Sequence, residues 1–289
     1  MSTSRDNQEE AVSAKITINH LKDKKARGEK VSMVTAYDYP TARIVDAAGV
    51  DAVLVGDSVG MVVLGYTSTV PVTMDEMIHH TRAVRRGLER AFIIGDMPFM
   101  SYQVSVEQAL VNAGRFMKEA GCDCVKLEGG QEVAHIVRAL VDAGIPVCAH
   151  IGLTPQSVAK LGGYKVQGKD LAGAQKLIDD AKALEEAGAE LIVFECIPTP
   201  LAKAITEATS MVTIGIGAGP YCDGQVLVFH DLVGLAERKP PKMAKRYMDA
   251  FSQMKGAVAN FVQDVASGAF PADEHGFAMD PEIVAKLKI

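Results

Sequence analysis

The chain repeats one pattern, in which an amphipathic stretch ends in Ala-Gly and a short apolar run follows. Four clear copies are DAAGVDAVLVGD at 46–57, EAGCDCVKLEGG at 119–130, DAGIPVCAHIG at 142–152 and EEAGAELIVFEC at 185–196. The glycine after each amphipathic stretch suits a left-handed helix C-cap. The runs that follow are almost wholly apolar, as strands buried on both faces are. The pattern therefore predicts helices alternating with buried strands.

Four further apolar runs bring the number of candidate strands to eight. They are VSMVTAYD from Val31, AFIIGDMP from Ala91, SMVTIGIG from Ser210 and QVLVFHDL from Gln225, the last being the weakest. Regular alternation of strands and helices predicts a parallel sheet. Eight units in 289 residues favour a closed barrel over an open doubly wound sheet. We predict an α/β protein, a single (β/α)8 TIM barrel with an extra N-terminal helix at 18–27.

No linker composition divides the chain, so we predict one folded domain between two tails. Residues 1–17 are expected to be a disordered N-terminal tail, 18–268 the catalytic barrel and 269–289 a C-terminal tail. The C-terminal part should contain a long helix before a tail that Gly and Pro interrupt.

Composition narrows the possible partners. The 30 basic and 36 acidic residues give a net charge of −6, which argues against binding to nucleic acid or to an anionic membrane. The sequence contains no stretch of eighteen predominantly apolar residues, the length that a membrane-spanning helix requires. The first fourteen residues lack the apolar core of a signal peptide, so we expect a cytoplasmic protein. The five cysteines show no metal-binding spacing and are expected to be small buried hydrophobes in a reducing compartment.

The glycine-rich segment GIGAG at 215–219 is not a dinucleotide fingerprint. Cys222 stands where a third glycine would be needed, and Pro220 opposes a helix that continues directly from the loop. A tight turn at the end of a strand is the better interpretation.

Polar residues close several of the apolar runs, at the barrel end where catalytic residues lie. They are Asp57, Asp96, Lys126, Glu128, His150 and Glu195. Lys126 and Glu128 are two apart in one strand and so share a face. Lys126 pointing outward would be buried against helices without a partner, which is costly, so both are expected to point into the barrel mouth.

Clustered carboxylates indicate a hard cation such as Mg²⁺, which prefers oxygen ligands. Taken singly, each acid is more simply a helix cap or a member of a surface salt bridge. Taken together with a lysine, they favour a site that binds a small oxo acid, stabilises an enolate with the metal and removes a carbon-bound proton with a further carboxylate.

The histidines are less informative. His150 is at a strand end, and a direct role and a supporting hydrogen-bonded role are equally compatible with that position. His79 and His80 lie in an amphipathic helix pattern and are expected to be structural or solvated. His230, before Asp231 in the predicted last strand, could be either.

The chain also resembles the ketopantoate hydroxymethyltransferase family over about residues 18–277. The resemblance rests on nine motifs in order: TAYDYPTA from Thr35, VGDSVGMVVLGYTSTVPVT from Val55, HTRAVRRG from His80, GDMPFMSY from Gly95, VKLEGG from Val125, HIGLTPQSV from His150, GGYKVQGK from Gly162, FECIP from Phe194 and GIGAGPYCDGQVLVFHDLVG from Gly215. One departure is EHGF at 274–277, where the family commonly reads EHSF.

This resemblance implies a barrel of the phosphoenolpyruvate/pyruvate type and a homo-oligomer larger than a dimer. It implies one Mg²⁺ per subunit at Asp57, Asp96 and Glu128. It also implies contacts from the oxo acid to Asp57, Ser58, Asp96 and Lys126, with Glu195 as the base. The reaction would transfer a hydroxymethyl group from 5,10-methylenetetrahydrofolate to 3-methyl-2-oxobutanoate, giving 2-dehydropantoate for pantothenate synthesis.

Two rival functions remain open from the sequence. One is another Mg²⁺-dependent carbon–carbon lyase or mutase of the isocitrate lyase type, although the sequence context of its catalytic cysteine loop is not found. The other is a catalytically dead barrel used for binding, which would be expected to lack a ligand or the base.

Overall fold

A computed structural model describes residues 14–237 and 239–288 as a closed barrel of eight parallel strands. Neighbouring strands pair in chain order, and β8 pairs with β1 to close the ring. The strands are β1 (Val31–Thr35), β2 (Ala52–Val55), β3 (Phe92–Asp96), β4 (Cys124–Glu128), β5 (Val147–Gly152), β6 (Leu191–Glu195), β7 (Val212–Ile216) and β8 (Gly224–Leu227). The predicted α/β class and barrel are confirmed.

The described residues contain twelve α-helices, several of which follow a strand and pack against the outside of the barrel. They are α1 (Ile18–Ala26), α2 (Tyr39–Ala47), α3 (Val59–Val62), α4 (Met74–Gly87), α5 (Val106–Arg115), α6 (Ala134–Asp142), α7 (Val158–Leu161), α8 (Leu171–Glu186), α9 (Thr199–Ala208), α10 (Phe229–Val233), α11 (Ala250–Ser267) and α12 (Pro281–Val284). One π-helical turn, Phe116–Ala120, extends α5, and 3-10 turns lie at Gln131–Val133, Pro155–Ser157 and Asp273–His275.

Local signals explain where several helices begin and end. Thr73 and Glu76 form a capping box at the start of α4, in which each side chain accepts a hydrogen bond from the other residue's backbone N–H. The glycines of the repeated pattern all have positive φ, for example 71° at Gly121 and 96° at Gly188. A residue with a side chain is strained at such φ values, so these positions favour glycine.

Two apolar cores result from the alternation of side chains along the strands. One fills the barrel interior and includes Met33, Ile94 and Val193, while the other lies between the strands and the surrounding helices. Leu21 of α1 is fully buried in the interior core, so the N-terminal helix closes one end of the barrel. The opposite end, where the strands finish, is left for the site.

The chain ends differ in part from the expectation. Residues 1–13 of the predicted N-terminal tail lie outside the described residues, but Lys15 and Ile16 are held against the barrel. Lys15 pairs with Asp123, and the Ile16 N–H donates to the Arg90 carbonyl oxygen at 2.8 Å. The long C-terminal helix is present as α11, and the segment beyond it contains a 3-10 turn and α12.

The last predicted strand was too long. β8 ends at Leu227, so His230 and Asp231 lie in α10 and not in a strand. The pairing with β1 stops at Val34, and the Phe229 N–H donates to the Thr35 hydroxyl at 2.9 Å. That hydrogen bond to a side chain takes the place of a further backbone hydrogen bond between β1 and β8, and α10 begins at the same residue.

All five cysteines are free thiols, and four of them are buried, as expected. In the described parts of the chain, no helix is both long and apolar enough to cross a membrane.

Candidate active site

The strand ends bring the predicted polar residues to one cavity of about 470 Å³ at the open end of the barrel. The cavity is lined by all seven residues singled out from the sequence: Asp57, Ser58, Asp96, Lys126, Glu128, His150 and Glu195. Five come from β3 to β6, and three of these, Asp96, Glu128 and Glu195, are the last residues of their strands, while Asp57 and Ser58 follow β2. Parallel strands finish at the same edge, so residues distant in sequence meet there.

Strand register explains the closest charge pair. Asp96 and Lys126 are direct partners in the β3–β4 pairing, and the Lys126 Nζ atom lies 2.6 Å from Asp96 Oδ1. Both side chains are almost fully buried, at 4% and 2% exposed. The other oxygen of Asp96 accepts a hydrogen bond from the Asp57 backbone N–H at 3.1 Å. Both oxygens of Asp96 are thus engaged by the protein.

The site carries more negative than positive charge. Burial raises the pKa of Asp57 well above its usual value, and repulsion from Asp96 and Glu128 raises it further. Burial alone would lower the pKa of Lys126, but the surrounding carboxylates, Asp96 first, raise it above the usual lysine value. Lys126 therefore remains an ammonium and cannot by itself balance three carboxylates.

His150 lies between the carboxylate cluster and Glu195. Its Nδ1 atom is 3.3 Å from Glu128 Oε1, and its Nε2 atom is 3.3 Å from Glu195 Oε2. Burial alone would lower the pKa of this histidine, but the two carboxylates outweigh that effect and raise it to about 9. Each ring nitrogen therefore faces one carboxylate oxygen at ion-pair distance, although neither contact has the geometry of a hydrogen bond.

Glu195 is the most accessible member of the charged cluster formed by the strand-end residues, with 16% of its side chain exposed. Cys196, which follows it, has a φ of 49°, a left-handed conformation that is uncommon without glycine. The Cys196 N–H still donates to the Ile216 carbonyl oxygen at 2.9 Å, which holds the strand end in place beside β7.

Several residues around the cavity were not predicted. Gln156 donates from Nε2 to Asp57 Oδ2 at 2.9 Å, and its backbone N–H donates to Glu128 Oε2 at 3.0 Å. The Tyr102 hydroxyl donates to Gln156 Oε1 at 2.8 Å, and the Tyr37 hydroxyl lies 2.8 Å from Ser58 Oγ. These are neutral residues that no charge pattern marks. Their only sequence signal is that Gln156, Tyr102 and Tyr37 fall within motifs of the family resemblance.

The other candidate residues fall outside the charged cluster. His79 lines an outer cleft, and His80 contacts the backbone carbonyl oxygen of Tyr37 through Nδ1 at 2.7 Å. The His230 ring packs against Tyr37, with ring centroids 5.5 Å apart, while its neighbour Asp231 lines the cavity. Residues 215–219 form the expected turn, in which Gly217 has a φ of 67°.

The chemistry of the site fits a hard divalent cation, although the ligands are not arranged as a finished cage. Across residues 14–237 and 239–288, no three His, Cys, Asp or Glu side chains already stand in a metal-binding geometry. The oxygens of Asp96 and Glu128 are instead occupied by internal partners. The potential ligand atoms are nevertheless all carboxylate oxygens, which are buried and carry more negative charge than Lys126 balances. A divalent cation would neutralise this excess negative charge.

Comparisons with known proteins agree with one family. Residues 15–273 match the family model described as ketopantoate hydroxymethyltransferase. A 3-methyl-2-oxobutanoate hydroxymethyltransferase from Carboxydothermus hydrogenoformans is 58% identical over 273 residues, covering 94% of this chain and 99% of the relative. The enzyme of the same name from Syntrophomonas wolfei is 54% identical, covering 95% and 99%.

Solved structures with the same fold come from more distant enzymes. A phosphonopyruvate hydrolase in complex with oxalate and Mg²⁺ superposes with a TM-score of 0.60 at 13% identity, covering 93% of this chain and 94% of that one. A 2,3-dimethylmalate lyase of the PEP mutase/isocitrate lyase superfamily gives 0.56 at 13% identity, with 93% of each chain covered. These likenesses establish the barrel, whereas the sequence relatives establish the family. The chain belongs to the ketopantoate hydroxymethyltransferase family.

Proposed function

We propose that this enzyme transfers a hydroxymethyl group from 5,10-methylenetetrahydrofolate to 3-methyl-2-oxobutanoate, forming 2-dehydropantoate for pantothenate and coenzyme A synthesis. The observation that carries the proposal is the pairing, in one cavity, of a buried carboxylate–lysine cluster with a more accessible carboxylate, Glu195. The cluster suits the polar end of an oxo acid, and the accessible carboxylate suits proton removal beside it. Membership of the family supports the same substrates.

Proton abstraction falls to Glu195. Its carboxylate would take the proton from C3 of the oxo acid, the carbon next to the keto group. His150 Nε2, at 3.3 Å, would hold Oε2 in place and balance its charge. The loss of that proton leaves negative charge on the keto oxygen, which the fixed ammonium of Lys126 stabilises. The carbon nucleophile then forms a C–C bond to the one-carbon unit, and the bonds from that unit to the two folate nitrogens break. One water supplies the hydroxyl oxygen, and its proton and the proton taken from C3 end on the two nitrogens of the released tetrahydrofolate.

Asp57, Asp96 and Glu128 are the residues that would hold Mg²⁺. When bound, the cation would neutralise their excess charge and polarise the keto oxygen as a Lewis acid. Asp57 presents an oxygen, Oδ1, that has no hydrogen bond within the described residues. Ser58, fixed by its contact with the Tyr37 hydroxyl, is the proposed contact for the carboxylate of the oxo acid.

The outer half of the cavity suits the second substrate. This outer half is the more exposed part of the lining, where the apolar and aromatic side chains of Tyr164, Val166 and Met243 lie together with the charged Lys165. Its volume of about 470 Å³ lies within the common range of roughly 300–1,000 Å³ for ligand pockets. We propose that the ring system of the folate packs here, with its one-carbon unit toward Glu195.

Location and assembly follow as further parts of the proposal. We assign the enzyme to the cytoplasm and to a homo-oligomer larger than a dimer. α11 supports the assembly, because only its first residue is buried while it exposes apolar side chains, including Val258, Phe261 and Val265. An apolar helix face of this kind marks an interaction surface.

Light scattering tests the assembly. The purified protein should have a mass more than twice that of the 30.8 kDa chain. Phe261→Asp should lower that mass, because a charge in the apolar face of α11 opposes its burial, whereas Gln175→Asp on the exposed side of α8 should not. A wild-type mass near that of one chain would contradict the proposal.

Metal removal tests the carboxylate site. Treatment with a chelator should abolish ketopantoate formation, and added Mg²⁺ should restore it. Asp96→Asn should reduce turnover on the order of a hundredfold or more, because it weakens a ligand of the cation and the ion pair that holds the Lys126 ammonium beside the reacting oxygen. The matched variant Asp142→Asn, at an exposed helix end, should retain full turnover. Full activity in a chelator-stripped sample would exclude the metal site.

Hydrogen exchange tests the base. Glu195→Gln should still bind 3-methyl-2-oxobutanoate but should exchange the C3 proton with deuterated water at least about a hundredfold more slowly. The exposed variant Glu186→Gln is the control and should exchange normally. If the Glu195 variant also exchanged at the wild-type rate, the base would have to be elsewhere, and His150 would be the next residue to test.

Borohydride distinguishes the two possible roles of Lys126. A Schiff base with the oxo acid requires a neutral amine, and the carboxylates around Lys126 favour the charged form. Treatment with borohydride in the presence of 3-methyl-2-oxobutanoate should therefore leave the protein mass unchanged. A stable adduct on a peptide that contains Lys126 would make the enzyme an imine-forming one.

A further inference from the structure

Gln156 is the buried residue that joins two of the site carboxylates. It lies in the 3-10 turn Pro155–Ser157 after β5 and is 3% exposed. Its side chain reaches Asp57 and its backbone N–H reaches Glu128, at 2.9 and 3.0 Å. These two acids belong to different parts of the barrel, because β3 separates β2 from β4. Among the described residues, no other residue donates hydrogen bonds to both of these carboxylates.

The hydrogen bonds of Gln156 allow only one orientation of its amide group. Nε2 lies 2.9 Å from the backbone carbonyl oxygen of Met97 as well as from Asp57 Oδ2. A backbone carbonyl can only accept, so the nitrogen must face Met97 and therefore Asp57. Oε1 is left to accept from the Tyr102 hydroxyl at 2.8 Å. The Tyr102 hydroxyl in turn accepts a hydrogen bond from the Glu128 backbone N–H at 3.1 Å. The network therefore also contacts the backbone of the residue that carries the second carboxylate.

The chemistry of the amide suits a support for a cation site. A lysine or arginine here would bring a positive charge that competes with the cation for Asp57. A carboxylate would face the Met97 carbonyl and Asp57 and repel both. An amide donates to Asp57 and accepts from Tyr102 without adding any charge. By binding Oδ2 of Asp57 it directs Oδ1 toward the cavity.

We propose that Gln156 is a positioning residue that holds Asp57 and Glu128 in place for a divalent cation. The inference rests on the metal site of the proposed function. It assigns to a neutral residue outside the ligand set the task of keeping two ligands at a fixed separation. Such supporting partners of metal ligands typically contribute about 10–100-fold to metal affinity or activity.

Calorimetric titration of the metal-free protein with Mg²⁺ tests this role without measuring turnover. Gln156→Met, which keeps the side-chain length but removes the donor and acceptor, should bind Mg²⁺ about 10–100-fold more weakly than the wild type. The matched control, Gln175→Met at an exposed position of α8, should bind Mg²⁺ like the wild type. Turnover of the Gln156 variant should be restored by high Mg²⁺ concentration, because its catalytic groups are intact.

Tyr102→Phe provides a second test that does not depend on the first variant folding. It leaves the Gln156 donor in place but removes the hydroxyl that orients the amide, so Mg²⁺ affinity should fall several-fold. A folded Gln156→Met or Tyr102→Phe protein with wild-type Mg²⁺ affinity would overturn the positioning role alone. If the wild type itself bound no Mg²⁺, the proposed metal site would be overturned together with it.

Discussion

The ion pair between Lys126 and Asp96 is the interaction on which the rest of the site depends. It forms because β3 and β4 pair in a register that sets these two residues side by side, 2.6 Å apart and almost fully buried. Breaking such a buried pair by removing one partner typically costs 3–5 kcal/mol, because a charge is left uncompensated. A lysine held in this way can remain an ammonium inside a barrel, and the other carboxylates can then collect around it.

The charges around that pair are graded from the interior toward the opening of the cavity. Asp57 is buried beside two further carboxylates, Asp96 and Glu128, an arrangement that suits a shared cation. Glu195 is more accessible and is linked to the same cluster only through His150. A base has to gain and lose a proton in every turnover, whereas a ligand has to keep its charge. In the proposed function, the more accessible Glu195 would perform the first task, and the buried cluster would perform the second with a cation bound.

The hydrophobic periodicity and the polar residues at strand ends predict most of this arrangement. They do not predict features that depend on which atoms a side chain or backbone group contacts in the folded protein. The barrel and the six charged or histidine residues at its mouth follow from apolar runs closed by polar residues. The sequence places His230 in a strand because the apolar run VLVF at 226–229 directly precedes it. The hydrogen bond from the Phe229 N–H to Thr35, which ends this strand, leaves no mark in the local pattern. Gln156 was missed because a neutral residue in a turn carries no charge signal. Its role depends on which atoms its amide meets.

The proposed function requires one site to accept two unlike molecules, and the two halves of the cavity differ in the contacts that they offer. The buried charges of the inner half would meet the small anion, while the outer half would offer apolar contact to a larger planar ring. A ring bound in the outer half would cover Glu195 and His150. That cover would exclude water from the carbon nucleophile and strengthen the electrostatic interactions inside the cavity. The same geometry would hold the oxo acid in the inner half until the second molecule leaves.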